Sequence, residues 1–271
     1  MSLVAMNEML QQAKGGKYAV GSFNVFNFET LCAVVEAAEE TKSPVILSVP
    51  ERLFRFVDMD TLSAAMVNRA QRSSVPVALH MDHAHSYDGI LRAVRWGFTS
   101  VMFDGSKLPF EENLKRTKEI CSMAHALGIS VEGELGYRSK EEMVDVAQLA
   151  TVDMAAEFVA KTHVDALAIA FRNREGGQIN TDKLEELAQA VNIPLVMHSG
   201  GKLPSYKDVI AHGISKVNVP TDMSTTAIAT LKAECAKAPI ANYINLMAAV
   251  KKAVKGSAKE YMIKFDCVAK A

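Results

Sequence analysis

The sequence predicts an α/β fold in which eight parallel strands close into a (β/α)8 TIM barrel, followed by additional C-terminal helices. Short apolar runs rich in Val and Ile recur along the chain, and amphipathic segments separate them. The chain has 271 residues, close to the roughly 250 that such a barrel needs. No linker or low-complexity tract interrupts it, so we expect residues 1–271 to form a single domain.

The predicted strands are continuous apolar runs, as expected for strands that are buried on both faces. They are Tyr18–Val25, Val45–Val49, Val75–Met81, Ser100–Phe103, Ser130–Leu135, Ala166–Phe171, Pro194–Met197 and Lys216–Val219. The helices predicted between them include Asn27–Thr41, Glu112–Leu127, Asp153–Lys161, Thr181–Val191 and Ser205–His212. After the last strand we expect only helices, over Thr225–Ala236, Asn242–Val254 and Glu260–Val268.

The composition is that of an ordinary globular protein, with 49% hydrophobic and 23% charged residues. The net charge of -1 provides no general attraction for nucleic acid or for an anionic membrane. No signal peptide or membrane span is visible, which leads us to expect a cytoplasmic location. The four cysteines lie far apart without a CxxC motif, which argues against a disulfide framework and a thiolate metal site.

Polar residues cluster where the predicted strands end, which is where a TIM barrel carries its active site. They are Asn24, Ser48, Asp82, His83, His85, Asp104, Glu132, Glu134, Arg172, Asn173, Glu175, His198, Asn218 and Thr221. Such residues also serve as helix caps and turn formers, an interpretation that suits Ser48 and Asp104. It suits His83, His198 and the two glutamates poorly, because buried strands do not normally end in these groups.

The histidines and glutamates of this set predict a metal site. His83 and His198 end two predicted strands, and two imidazoles with nearby carboxylates can form a zinc site that keeps one position open. Glu132 and Glu134 alternate along one strand and therefore point to the same side. A carboxylate pair that faces a barrel interior needs a cation or a proton, so it supports a metal, although less strongly.

The loops after the seventh and eighth strands predict an anion site, because this architecture commonly binds phosphate there. They read His198-Ser-Gly-Gly-Lys202 and Asn218-Val-Pro-Thr221. Glycines let backbone N–H groups approach an anion, and Ser, Thr and Lys side chains add donors.

Several segments together resemble the class II, zinc-dependent ketose-bisphosphate aldolases, a family that includes the fructose- and tagatose-bisphosphate aldolases. The resemblance extends from about the first strand through Asp222. The segments are His80-Met-Asp-His83, Ser100-Val-Met-Phe-Asp-Gly-Ser106, Val131-Glu-Gly-Glu-Leu-Gly136 and Gly213-Ile-Ser-Lys-Val-Asn-Val-Pro-Thr-Asp222. It implies a TIM barrel that binds Zn²⁺, acts on a small-molecule sugar phosphate and forms homodimers or homotetramers.

The resemblance also implies roles for individual residues. Asp82 would transfer a proton at the reacting hydroxyl, and His83 and His198 would bind zinc. Asp104 and Glu134 match positions that can bind a second or displaced metal. The dihydroxyacetone phosphate half of the substrate would be held by Gly176, Ser199, Gly200, Gly201 and Asn218 to Thr221. Asn24 and Lys202 are further substrate-binding candidates, from their places at strand ends and in the anion loop rather than from the resemblance.

The sequence also departs from the family pattern. Glu175 occupies the position of the third histidine ligand, and a carboxylate can complete a zinc site there. Glu141 and Glu142 are candidates for the proton-abstracting carboxylate of a segment that is shortened here. Arg172, Arg174 and Lys202 are cations absent from the usual pattern. They are either ordinary surface charges or recognise a second anion of different shape, such as a carboxylate or a sulfonate.

These observations leave two interpretations open. The first is a metal-dependent aldolase that cleaves a ketose 1-phosphate or a ketose bisphosphate to dihydroxyacetone phosphate and an aldehyde. The second is a barrel without catalytic activity that serves as a binding or assembly subunit. The retained Asp82, His83, Glu134 and His198 favour the first, and the missing third histidine favours the second.

Overall fold

The computed structural model describes residues 2–136, 150–169, 180–198, 203, 205–237 and 242–271. These residues contain eight parallel strands: β1 (Val20–Asn24), β2 (Val45–Pro50), β3 (Val77–Ala84), β4 (Ser100–Phe103), β5 (Ser130–Leu135), β6 (Ala166–Ile169), β7 (Leu195–Met197) and β8 (Ile214–Val219). Each strand pairs with the next, and β8 pairs with β1, so the sheet is a closed barrel. The predicted TIM barrel is confirmed.

Helices surround the barrel. The described residues contain α1 (Met6–Gly16), α2 (Phe28–Thr41), α3 (Met59–Gln71), α4 (Tyr87–Arg95), α5 (Phe110–His125), α6 (Val152–Thr162), α7 (Thr181–Val191), α8 (Lys207–Ala211), α9 (Asp222–Cys235) and α10 (Tyr243–Lys264). Side-chain caps start several of them; Asn27, for example, forms a capping box with Thr30 at the start of α2. None of the helices in this part of the chain is long and apolar enough to cross a membrane.

The main apolar core lies between the strands and the helices. Phe23, Leu47 and Val131 are fully buried there. They alternate along their strands with polar residues, which therefore point into the barrel. Gly133 lies between the two glutamates of β5, and a Cβ at this position would come within 2.9 Å of the Phe158 ring of α6. The Glu-Gly-Glu sequence thus places its carboxylates inside the barrel and leaves room for a helix outside.

The C-terminal region corrects one prediction, because the helices expected over Asn242–Val254 and Glu260–Val268 are one continuous helix, α10. Gly256 and Ser257 lie between the two predicted segments, and a glycine weakens a helix interior. However, Lys251, Lys255 and Lys259 follow one another at a spacing of four residues and form ion pairs with Glu36 and Glu40 of α2. These contacts and the packing of α10 on α2 keep the helix intact through the glycine.

The end of β3 is irregular. The sequence predicted a strand that ends at Met81, whereas β3 continues to Ala84. The register with β4 shifts between these two residues, and His83 has a φ of 47°. A positive φ is uncommon for a residue with a side chain and is often found at functional sites. The irregular backbone at His83 is therefore consistent with a functional role for this residue.

Candidate active site and metal centre

Polar residues of three strands form the inner wall of the barrel. β3 contributes His80 and Asp82, β5 contributes its two glutamates, and β8 contributes Lys216 and Asn218. Most of these side chains are fully buried or nearly so. Such groups are stable inside a protein only if they pair with one another or with a ligand.

His83 is held by the loop after β4. Its Nδ1 lies 2.8 Å from Oδ2 of Asp104, whose Oδ1 accepts hydrogen bonds from the backbone and hydroxyl of Ser106. Burial alone would raise the pKa of Asp104, but these hydrogen bonds hold it well below its usual range. Burial would lower the pKa of His83, and the hydrogen bond to Asp104 reverses this and raises it. With Nδ1 engaged, Nε2 of His83 is the nitrogen left for a ligand.

His198 lies directly after β7 and faces β5. Its Nε2 is 2.7 Å from Oε1 of Glu132, and its Nδ1 is 3.7 Å from Oε1 of Glu134. Burial disfavours the imidazolium, yet the two glutamates outweigh burial and raise the pKa of His198 to about 10. The ring centroids of His83 and His198 are 4.7 Å apart. The two strand ends thus bring both predicted ligand histidines together.

The donor atoms around these rings suit a metal ion. Potential ligand atoms of Asp82, His83 and His198 lie within 4.8 Å of one another, and the same holds for His83, Asp104 and Glu134. Within the described part of the chain, Oε2 of Glu134 and Nδ1 of His198 are buried without a hydrogen-bond partner. Buried polar atoms normally have partners, so two orphaned atoms among metal-ligand residues indicate a place for a cation. Imidazole nitrogens with a carboxylate oxygen form a donor set that suits zinc.

Asp82 lies beside the two histidines and is almost fully buried. Asn218 donates a hydrogen bond to its Oδ1 over 3.1 Å. Burial alone would raise the pKa of Asp82, but the neighbouring histidines and Lys216 lower it below its ordinary value. The carboxylate is therefore ionised, which is the form that a proton acceptor must have.

Glu132 is paired with Lys216, a buried basic residue on β8 that was not among the site residues predicted from the sequence. Nζ of Lys216 donates to Oε2 of Glu132 over 2.7 Å, and neither side chain is exposed. The cation expected beside this carboxylate is thus a lysine of the chain itself, so Glu132 is not evidence for a metal. Although burial favours the neutral acid, Lys216 and His198 keep the pKa of Glu132 far below its usual range.

His80 completes this buried network. Its Nδ1 lies 2.8 Å from the hydroxyl of Ser100, and its Nε2 lies 3.4 Å from Nζ of Lys216. Burial and the charge of Lys216 lower the pKa of His80 to about 3, so its ring is neutral although Glu132 and Asp82 lie within 4 Å. Alternation along their strands could have placed His80 and Lys216 on the inward face, but it could not show that Lys216 meets Glu132.

The predicted substrate residues fall into two groups. Asn24 and Asn218 point into the barrel, and Nδ2 of the first and Oδ1 of the second are buried without a partner. Thr221 is exposed at the start of α9. The other predictions lie outside the described residues, namely Glu141, Glu142, Arg172, Arg174, Glu175, Gly176, Ser199, Gly200, Gly201 and Lys202.

Comparison with known proteins identifies the family of this chain. A family model described as fructose-bisphosphate aldolase class-II matches residues 4–270. The chain belongs to this family. The resemblance seen in the sequence is confirmed, and membership makes the protein a class II aldolase, which is a carbon–carbon lyase.

Individual relatives cover most of the chain. The crystal structure of the YdjI aldolase from Escherichia coli K12 has a TM-score of 0.89 and 37% identity, with 99% of each chain covered. The fructose-bisphosphate aldolase of Geobacillus stearothermophilus is 39% identical over 252 residues, which are 88% of each chain. The sulfofructosephosphate aldolase of Alkalicoccus urumqiensis is 35% identical over 235 residues, which are 82% of each chain.

Proposed function

We propose that this aldolase is zinc-dependent and cleaves a ketose 1-phosphate or ketose bisphosphate reversibly into dihydroxyacetone phosphate and an aldehyde. One observation carries the proposal. His83, His198 and Asp82 converge at the ends of β3 and β7, next to orphaned atoms of Glu134 and His198. Membership of the class II family supports the same chemistry.

His83, His198 and Glu134 would hold the zinc ion, and Asp104 would orient His83 or bind a second or displaced metal. Glu175 is the alternative to Glu134 as the residue that completes the site; it lies outside the described residues, and its role stays a prediction. When bound, zinc would act as a Lewis acid on the ketose carbonyl and on the negative charge that carbon–carbon cleavage leaves behind.

Asp82 would move the proton at the reacting hydroxyl. In the cleavage direction its carboxylate accepts the hydroxyl proton, the O–H electrons form the new aldehyde carbonyl, and the carbon–carbon bond breaks. Its lowered pKa and the hydrogen bond from Asn218 keep it ionised and oriented for this step. Glu141 or Glu142 is proposed to handle the proton on the dihydroxyacetone phosphate carbon.

Asn24 and Asn218 are proposed to bind the dihydroxyacetone phosphate half of the substrate. The free Nδ2 of Asn24 is a donor and the free Oδ1 of Asn218 is an acceptor, which suits hydroxyl and carbonyl groups of a sugar. Thr221, residues 199–202 and Gly176 would hold the phosphate.

The distal end of the substrate is proposed to differ from that of fructose 1,6-bisphosphate. Arg172, Arg174 and Lys202 are three cations that the usual family pattern lacks, and a relative at 35% identity is named sulfofructosephosphate aldolase. Arginine recognises flat or tetrahedral anions through fork-like contacts. We therefore expect a sulfonate or carboxylate at this end, and fructose 1,6-bisphosphate to be a poor substrate.

The test begins with metal analysis of protein purified without chelator, followed by a screen of ketose 1-phosphates with and without a distal anion. We expect about one zinc per chain and release of dihydroxyacetone phosphate. The Arg174→Ala variant should weaken kcat/KM mainly for substrates with a distal anion. If fructose 1,6-bisphosphate is cleaved as well as any other substrate, the altered-substrate proposal is wrong. If the zinc-loaded protein cleaves no ketose phosphate, it is a binding or assembly subunit.

We further propose that the protein assembles as a homodimer or homotetramer, as the family resemblance implies. Large apolar side chains at the start of α10, Tyr243 and Ile244, are 73% and 75% exposed, which suits a surface that a second copy covers. Sedimentation of the purified protein at several concentrations gives its mass directly.

A further inference from the structure

His198 is connected to the core of the barrel by a chain of buried hydrogen bonds. Its Nε2 pairs with Oε1 of Glu132 at 2.7 Å, and Oε2 of Glu132 pairs with Nζ of Lys216 at the same distance. Both oxygens of the carboxylate are thus engaged, one by the histidine and the other by the lysine. A carboxylate held at both oxygens cannot rotate without breaking a charge-assisted hydrogen bond.

The lysine sets the direction of every bond in this chain. An ammonium group has three donors and no acceptor, so Nε2 of His80 accepts from Lys216. Nδ1 of His80 then carries the proton and donates to the hydroxyl of Ser100, which lies 3.3 Å from the sulfur of Met6. On the other side, Glu132 accepts from the lysine and therefore offers its second oxygen as an acceptor to His198.

We propose that Lys216 and Glu132 are positioning residues that hold His198 with a proton on Nε2, so that Nδ1 is the nitrogen that binds the metal. A carboxylate on the far nitrogen of a ligand histidine fixes both the tautomer and the orientation of the ring. Nδ1 is the buried nitrogen without a partner, 3.7 Å from Glu134. This inference rests on the proposed zinc centre.

The ion pair also explains why a lysine is buried inside the barrel. A buried pair rarely stabilises a protein more than apolar residues would, but it fixes a geometry. Without Lys216 the carboxylate would keep one firm contact and an uncompensated buried charge. Without the charge on Glu132 the lysine would face a donor or a weaker acceptor. The two residues are therefore expected to act as a unit.

A double-mutant cycle tests this unit, with zinc affinity measured by competition against a chromophoric chelator. Second-sphere substitutions at metal sites commonly weaken binding by about 10–100-fold, and we expect this for Glu132→Gln and for Lys216→Met alone. In Glu132→Gln, the amide cannot accept from both His198 and Lys216, because one of its ends is a donor. In the double variant that conflict disappears, and the glutamine oxygen accepts from His198.

Removal of the lysine should therefore restore much of the zinc affinity that Glu132→Gln loses, a non-additive result. If Lys216→Met fails to fold because its glutamate is unpaired, the comparison of Glu132→Gln with the double variant still decides the question. Equal zinc affinity in the wild type and Glu132→Gln would overturn the inference. So would losses that simply add in the double variant.

A second measurement reads the tautomer without any assay of activity. In zinc-loaded protein with ¹⁵N-labelled histidine, long-range ¹H–¹⁵N correlations show which ring nitrogen carries the proton, and His198→Asn identifies the signal. We expect the proton of His198 on Nε2, and a proton on Nδ1 would overturn the assignment. The failure of the wild type to bind zinc would instead overturn the proposed metal centre together with this inference.

The control is Glu39→Gln, which breaks a two-point ion pair with Arg69 in the helix layer, at 3.0 and 2.6 Å. It makes the same carboxylate-to-amide change away from the barrel interior. Zinc affinity and the His198 signal should match the wild type in this variant. A comparable loss of zinc in Glu39→Gln would mean that general destabilisation explains the Glu132→Gln result.

Discussion

The two histidines of the candidate centre are held in different ways. His83 is supported from the barrel mouth by Asp104, on a loop, and its side chain is 35% exposed. His198 is supported from the barrel interior by Glu132, and both Glu132 and its partner Lys216 are inaccessible to solvent. One proposed ligand is thus held by a loop, whereas the other is held by the core.

This difference affects how each site responds to change. A support at the mouth borders solvent, so water or a neighbouring side chain can replace part of a lost hydrogen bond. A support in the core has no such substitute, because an unpaired buried charge keeps its full desolvation cost. We infer that His198 provides the fixed reference of the centre, and that His83, on an irregular strand end, is the more adjustable ligand.

The largest expected effect comes from removing either histidine. His83→Ala and His198→Ala should each lose zinc and lower kcat/KM by about 10³-fold or more, since the loss of the Lewis acid costs several kcal/mol of transition-state stabilisation. Metal analysis and turnover are measured on the same preparations. Full zinc occupancy in His83→Ala would show that the histidine is not a ligand, and the comparison of the two supports would then lose its basis.

Asp82 lies beside both histidines, and its substitution should affect catalysis without affecting metal binding. Asp82→Ala removes the proposed proton acceptor but neither histidine, so zinc content should remain while turnover falls by about 10²-fold or more. The rate of dihydroxyacetone phosphate release measures catalysis, and the zinc content of the same preparation measures metal binding. Near-normal turnover would move the role to another carboxylate, with Glu141 and Glu142 next to be tested.

Asp104→Asn tests the comparison of the two histidines directly. It makes the same carboxylate-to-amide change at the residue that holds His83 as Glu132→Gln makes at the residue that holds His198. The amide oxygen can still accept from His83, and the hydroxyl of Ser106 stays nearby. We expect zinc affinity to fall by about 10-fold or less, at the low end of the range for such supports and less than in Glu132→Gln. A greater loss in Asp104→Asn than in Glu132→Gln would reverse the assignment of the rigid and adjustable ligands.

Much of this arrangement was predictable from sequence, because strand spacing alone fixes which residues meet at a barrel mouth. All eight strands were predicted at the observed places, to within a few residues at their ends. His83 and His198 were recognised as a pair because polar residues at the ends of apolar strands have few structural uses. The prediction that Asp104 forms a turn is also correct, since its Oδ1 accepts a hydrogen bond from the backbone of Ser106.

The partner of Glu132 was not predictable in the same way. Lys216 lies 84 residues further along the chain, and only barrel closure makes β8 and β5 face each other across the interior. Lysine is almost never fully buried, so a lysine near a strand start is normally taken as exposed. The continuous helix α10 was missed for a related reason, because the ion pairs with α2 that support it across the Gly-Ser pair are long-range contacts.

The smallest expected effect concerns Glu51, which contacts the loop that follows His83. Its carboxylate accepts hydrogen bonds from the backbone of His85 and the hydroxyl of Ser86, both at 2.7 Å, and so holds the loop after β3. Glu51→Ala leaves both histidines and their supports in place. We expect kcat/KM to fall only several-fold, with zinc affinity nearly unchanged, since the loop borders solvent.

A second variant displaces the same carboxylate without removing it. A Cβ at Gly89 would collide with Oε1 of Glu51, so Gly89→Ala should push this side chain away from the loop. Alanine also favours the helix by about 0.8–1 kcal/mol, so a loss of activity in this variant would not reflect a weaker helix. Both variants should reduce kcat/KM to a similar extent. If Glu51→Ala instead removes zinc as fully as His83→Ala, the support at the mouth is as rigid as that in the core, and the two ligands do not differ.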